Sequence, residues 1–237
     1  MSLLSTINAT PTYELELPSN GQKINYRPFL VKQEKILLSA LESNKDGEIA
    51  LALKQVITDC IVEPKNFDIE SVPIFDVEYI FLKIRGKSVG EKVTLKLKCP
   101  DDEKVVVDYE LDLDKIDVLV DDNHTLEVKL EDRYGVNMRY PTINSLKLVS
   151  GNTVDTAMGL IKECIDVIYK DDQKFERKNI TENELNEWVD NLTQKQFSQF
   201  ESFFKGMPRL EHLVKFKNPN SGKEHSIKLV GLKSFFQ

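Results

Sequence analysis

Ile24-Asn25-Tyr26-Arg27-Pro28-Phe29-Leu30-Val31-Lys32-Gln33-Glu34-Lys35-Ile36-Leu37-Leu38 carries a short strand through a proline into an amphipathic helix, with no loop between them. Upstream, Tyr13, Leu15 and Leu17 alternate with Glu14 and Glu16, and Pro18-Ser19-Asn20-Gly21 supplies turn chemistry before a second strand over 23–29. That pattern predicts an edge hairpin. Downstream, the helix runs from Val31 to Ser43, and after 44–47 a second helix carries Ile49, Leu53, Val56, Ile57 and Cys60 on one stripe. A third is expected from Pro73 to Ser88 through Phe75, Tyr79, Leu82 and Ile84, with Pro73 suited to a first turn and Gly86 near the exit.

The middle of the chain changes period from helical to alternating. Val93, Leu95 and Leu97 alternate with Thr94, Lys96 and Lys98; after a turn at Pro100, Val105, Val107, Tyr109 and Leu111 alternate with Asp108, Glu110 and Asp112. One face is apolar and the other acidic. Leu126 to Leu130 and Val136 to Tyr140 read as a further hairpin, so residues 91–141 are expected to form one four-stranded antiparallel sheet. Helices return after Pro141: one from Thr153 to Tyr169, one opened by Thr181 with Glu184, and one opened by Thr193 with Gln196. Both Thr-x-x-Glu/Gln pairs match the capping box. The last of these helices presents Phe197, Phe200, Phe203 and Phe204 at helical spacing, and a hairpin over 213–217 and 225–230 follows.

The 237 residues suffice for one large or two small domains, with regions expected at 1–90, 91–141 and 142–237. No run approaches the roughly 18 apolar residues of a membrane span, and Met1-Ser2-Leu3-Leu4 lacks a secretory head, so a cytoplasmic site of synthesis is expected. Cys60, Cys99 and Cys164 are odd in number and far apart, which predicts no disulfide. Net charge is −7, which argues against general nucleic-acid affinity. Thirteen acidic and three basic side chains fall between Asp101 and Asp132, against seven basic and two acidic from Lys205 onward.

Two short segments resemble each other: Leu97-Lys98-Cys99-Pro100-Asp101-Asp102-Glu103-Lys104 and Phe216-Lys217-Asn218-Pro219-Asn220-Ser221-Gly222-Lys223 align without a gap. A zinc knuckle places thiolates at the first and fourth positions of such a turn. Here the four positions hold Cys99, Asp102, Asn218 and Ser221, with His225 nearby; one thiol is a poor set for zinc, so no metal and no cofactor is expected, and hydrogen bonds within the turns stand in for it. His124, His212 and His225 lie outside any catalytic motif, and no phosphate loop or nucleophile elbow occurs. Catalysis is not expected. Two alternatives stay open: a degenerate zinc-ribbon nucleic-acid binder, and a hydrolase using paired carboxylates.

Four segments together resemble the baseplate hub assembly proteins of T-even-type contractile-tailed bacteriophages: Tyr26-Arg27-Pro28-Phe29, Leu82-Lys83-Ile84-Arg85-Gly86-Lys87-Ser88-Val89 before Gly90, Phe203-Phe204 with Met207-Pro208, and Gly231-Leu232 followed by Phe235-Phe236. The resemblance implies a hub assembly factor or hub subunit acting by protein–protein binding, with other phage baseplate hub proteins as partners and neither nucleic acid nor membrane. It implies residence in the host cytoplasm during tail assembly or in the virion tail baseplate. The fold class read is α+β, an antiparallel sheet with helical hairpins packed around it and degenerate zinc-ribbon-like turns without metal. The candidate partner-binding residues are Tyr26, Arg27, Phe29, Asp108, Glu110, Asp112, Lys215, Lys217, Phe235 and Phe236.

Overall fold

The computed structural model describes residues 10–43, 45–145, 148, 153–231 and 234. Leu232, Phe235, Phe236 and Met1–Leu4 lie outside them. The chain is α+β and divides into two compact units: residues 1–119 with 209–237 form unit 1, and residues 120–208 form unit 2.

In unit 1, β1 (Tyr13–Glu16) pairs antiparallel with β2 (Lys23–Tyr26), which pairs on its other side with β3 (Ile61–Glu63). The opening hairpin thus supplies the edge strand β1 and the central strand β2, because the helical hairpin of α1 (Val31–Ser43) and α2 (Asp46–Cys60) returns the chain alongside β2. α3 (Ile74–Val89) follows with Pro73 at its N-cap. In its first turn Asp76 is fully buried and accepts bonds from the backbone N–H and hydroxyl of Ser19, which ties the β1–β2 turn to the helix. Burial pushes the Asp76 carboxyl's pKa up, and the two Ser19 bonds oppose that shift.

β4 (Lys92–Cys99) and β5 (Asp102–Asp112) form a long antiparallel hairpin. β6 (Val118–Leu119) is a short strand that pairs with the start of a strand in the chain's last segment. In unit 2, β7 (Glu127–Glu131) and β8 (Tyr134–Met138) join β9 (Ile165–Lys170) and β10 (Gln173–Glu176) in the order β10-β9-β8-β7. In unit 1 again, β11 (Arg209–Lys217) lies between β12 (Glu224–Val230) and β6. The single four-stranded sheet expected over 91–141 is thus corrected to two hairpins in different units. The 3-10 turn at Leu113–Lys115 and β6 lead the chain out of unit 1 before β7 begins. The apolar faces of β4–β5 and β11–β12 share one core, with Leu95, Leu97 and Leu111 from the first and Val214, Phe216 and Leu229 from the second, closed by Leu82 of α3.

Lys83, on α3, is 7% exposed, and its ammonium donates to the carbonyls of Asp114 at 2.9 Å, Ile116 at 3.1 Å and Leu113 at 3.5 Å. Those carbonyls belong to the 3-10 turn and the residue after it; the Leu113 carbonyl also accepts the Ile116 N–H at 3.3 Å, so the lysine chiefly serves the carbonyls of Asp114 and Ile116. The Lys83 ammonium also stands 5.0 Å over the Tyr79 ring.

Unit 2 contains α4 (Val154–Cys164), α5 (Glu182–Asp190) and α6 (Gln194–Gly206), each opened by a threonine whose hydroxyl accepts from the third helical N–H: Thr153, Thr181 and Thr193. Their core with the sheet holds Val136, Ile165, Ile168, Leu185 and Phe200. Fully burying a phenylalanine such as Phe200 contributes roughly 1.5 to 3 kcal/mol. The helix expected to run to Tyr169 ends at Cys164, and Ile165 is already extended at φ −69°, ψ 130°. Ile165, Val167, Ile168 and Tyr169 favour a pleated strand, and pairing with β8 outweighs their helical spacing.

Candidate functional site

The two resembling turns meet in unit 1. Asn218, 1% exposed, folds its own turn by accepting the backbone N–H groups of Asn220 at 2.8 Å and Ser221 at 3.3 Å. Gly222 completes that turn at φ +73°, a backbone region that favours glycine. The Asn218 amide then donates across to Asp101 Oδ1 at 2.8 Å, the Ser221 hydroxyl donates to Oδ2 at 2.6 Å, and His225 Nε2 lies 2.8 Å from Oδ1. One carboxylate thus joins two hairpins, in a place where a zinc knuckle would use a metal. The hydrogen bonds expected within each turn are present, at Asn218 and where Asp102 accepts the Lys104 N–H at 3.0 Å; the bonds between the turns run through Asp101, at the variable position of the motif that spacing alone does not single out.

This donor set does not suit zinc. Burial and the carboxylates of Asp101 and Asp102 push the Cys99 thiol's pKa up, away from the thiolate that zinc needs. The carboxylate oxygens of Asp101 already accept three donors. Among the described residues no cluster of three histidine, cysteine or acidic side chains is arranged to hold a metal. Nor is the cluster a Ser-His-Asp triad: serine and histidine both bond to the aspartate, so no imidazole faces the hydroxyl.

The hydroxyl and amide donors, with His225 after them, hold the Asp101 carboxyl well below the usual carboxylate range. A depressed pKa in the fold means a stabilising contribution that is complete above the unfolded value near 4 and is lost as pH falls through the folded value. Asp101→Asn is therefore expected to lower the melting temperature at pH 7 and to flatten the acid limb of the melting-temperature profile. A variant with the parental acid limb would show that the clasp does not form.

The candidate partner residues fall into different environments. Tyr26 is 3% exposed and its ring packs on Tyr13 at 5.7 Å, so it is a core residue and not a surface. The Arg27 guanidinium donates to the carbonyls of Asp59 at 2.7 Å and Pro28 at 3.0 Å, closing the end of α2. Asp108, Glu110 and Asp112 lie on the outer side of β5, but the β4 register sets Lys96 opposite Asp108, Thr94 opposite Glu110 and Lys92 opposite Asp112. Lys92 bonds Glu110 at 2.6 Å. The acidic face expected from the sequence is thus an acidic row beside a basic row, and the two largely cancel. Lys215 and Lys217 are exposed on β11, opposite Ser226 and Glu224. Phe235 and Phe236 lie outside the described residues.

Phe29 stands differently. Its backbone N–H donates to the Ser88 hydroxyl at 2.9 Å, drawing the start of α1 against the end of α3. Half-buried Phe29 is flanked by Leu30, 42% exposed, and Val31, 66% exposed; Val89, 58% exposed, adjoins Ser88. Val31 opens the amphipathic helix read from the sequence, and the structure turns it outward, beside Leu30, at the surface of unit 1. The signal available in the sequence was the run Phe29-Leu30-Val31, which one amphipathic face cannot wholly bury.

A family model described as T4 bacteriophage base plate protein matches residues 10–237. The chain is similar to a curated protein of Enterobacteria phage T4, "Baseplate hub assembly protein gp26", at 23% identity over 227 residues, 95% of this chain and 98% of that protein. No solved structure matches.

Proposed function

From the premise that the chain belongs to the T4 bacteriophage base plate protein family, we propose that it acts in building the central hub of a phage tail baseplate by binding other hub proteins, without chemistry of its own. The similarity to a hub assembly protein along nearly its whole length supports the hub role. The exposed Leu30, Val31 and Val89, on two segments that the Phe29–Ser88 bond brings together, support binding as the mechanism, because exposed apolar side chains gain from being covered by a partner. The proposed partners are other phage hub proteins, and the proposed setting is the host cytoplasm during tail assembly or the tail itself. No described helix is long and apolar enough to cross a membrane.

The test is capture of tail proteins by tagged chain from infected cells. The double variant Val31→Glu with Val89→Glu is expected to weaken capture by about tenfold or more. Because both side chains are more than half exposed, its circular dichroism and melting temperature should stay near those of the parent. Undiminished capture by the variant would exclude this surface; a parent chain that captures no tail protein would exclude the hub reading itself.

A further inference from the structure

β10 is the outermost strand of the unit 2 sheet, with β9 on one side and no strand on the other among the described residues. All four of its residues are exposed, and Phe175 is 47% exposed although it stands opposite Ile168, a residue of the unit 2 core. The core therefore ends in an aromatic ring half open to solvent. The main chain of β10 is open as well. The Asp171 N–H donates to the Arg133 carbonyl at 2.7 Å, beside β8, so alternation along β9 turns Tyr169 and Val167 toward β8 and turns Lys170 and Ile168 toward β10. Their partners Gln173 and Phe175 face inward, which leaves the N–H and C=O of Lys174 and Glu176 pointing away from the sheet.

We infer that β10 pairs antiparallel with β10 of a second copy of this chain, joining their two sheets into one across a symmetry axis at Phe175. Outward-facing main chain meets only outward-facing main chain, so Lys174 or Glu176 must stand opposite Lys174 or Glu176 of the second copy. Only three registers do this. Lys174 opposite Lys174 and Glu176 opposite Glu176 each set like charges together, whereas Lys174 opposite Glu176 sets opposite charges together, and does so on both sides of the axis. That register also puts the two Phe175 rings at the closest kind of cross-strand position, where each covers the other's exposed surface. The strand ends agree with it: Asp171 and Asp172 precede β10 and Arg177 and Lys178 follow it, so the acidic end of one copy lies toward the basic end of the other. Glu176 bonds Lys178 at 2.7 Å with both side chains exposed, and no ion pair holds Lys174 among the described residues, so the incoming lysine joins an existing pair and breaks none. A lysine on a short edge strand commonly guards against pairing; a guard that its own neighbour neutralises in one register selects a partner of the same sequence. β1, the edge strand of the opening sheet in unit 1, carries Glu14 and Glu16 instead and offers no such register. The interface uses unit 2 alone and does not depend on the proposed hub partners.

Sedimentation equilibrium of the full-length chain, from about 5 to about 500 µM, reads the association directly. Two short strands make a small interface, so the parent is expected to dimerise reversibly with a dissociation constant of about 100 µM. Lys174→Glu and Glu176→Lys should each weaken this by about tenfold or more, since both cross-strand charge pairs become repulsive. An equimolar mixture of the two variants should regain the parental association as a mixed dimer, because the glutamates of one then face the lysines of the other at both positions. Damage to the fold would not be undone by mixing. A parent that stays monomeric throughout that range, single variants that dimerise as the parent does, or a mixture no more associated than its components would overturn the inference.

Discussion

Lys83→Met is expected to destabilise unit 1 by about 3 kcal/mol, since methionine matches the length of the lysine stem but donates nothing to the carbonyls of Leu113, Asp114 and Ile116. Hydrogen bonds from a charged donor contribute about 1.5 to 3 kcal/mol each, and the ammonium's own desolvation, which pushes its pKa down, removes part of that total. The remainder is large against the roughly 5 to 15 kcal/mol that holds a domain together. Lys83→Arg is expected to recover little, because a planar fork cannot point at three carbonyls gathered around one nitrogen. Urea unfolding followed by far-ultraviolet circular dichroism measures both. A Lys83→Met chain as stable as the parent would mean that water serves those carbonyls equally well.

Gly135→Val is expected to do comparable damage in unit 2. A Cβ at this position in β8 would lie 2.6 Å from the Val128 carbonyl oxygen on β7 and overlap the Tyr169 ring, whose hydroxyl donates to Glu127 at 2.6 Å across the glycine. The ring can swing away only by giving up that bond, and the carbonyl can move only by opening the β7–β8 ladder. Overpacking of this kind costs about 1 to 3 kcal/mol and more where backbone must shift, to which the β-branched side chain adds its own volume. The chain's single tryptophan makes the measurement specific: Trp188 lies in unit 2, and its indole N–H donates to the Tyr134 hydroxyl at 2.8 Å. Its fluorescence reports that unit, so a two-unit chain need not be forced into one all-or-none transition. A parental tryptophan transition in Gly135→Val would show that the sheet tolerates the added side chain.

Much of the architecture was legible because local chemistry and tertiary context agree. The span Val31–Ser43 and the capping boxes at Thr181 and Thr193 are written in hydroxyl placement and period, and the structure keeps them. Cys60–Ile61 and Cys164–Ile165 were less legible for one shared reason: helix passes into strand without a turn residue, and isoleucine at either junction suits both periods. β10 left no trace in hydrophobicity, since all four of its residues are exposed. Strand pairing was harder still. Alternation identifies a strand but not its neighbour, so nothing in 91–141 indicated that its two hairpins belong to different units.

The candidate site shows the same division. The likeness of the turns at Cys99 and Asn218 was visible as aligned prolines and lysines, whereas the role of Asp101 depends on a meeting of residues more than a hundred positions apart. The charges of Asp108 and Glu110 were visible, but the lysines that offset them stand on another strand.

The pairing of Leu119 with Arg209 and of Val118 with Leu210 fixes an order of events during translation. When β4 and β5 leave the ribosome, the strands that cover their apolar side do not yet exist, and residues 120–208 must be made first. At the usual elongation rate that interval lasts roughly 5 to 20 s, long compared with the folding of a small domain. The inserted segment can therefore adopt its structure while Leu95, Leu97 and Leu111 wait uncovered, which makes the nascent chain most vulnerable to aggregation and proteolysis just before residues 209–237 emerge.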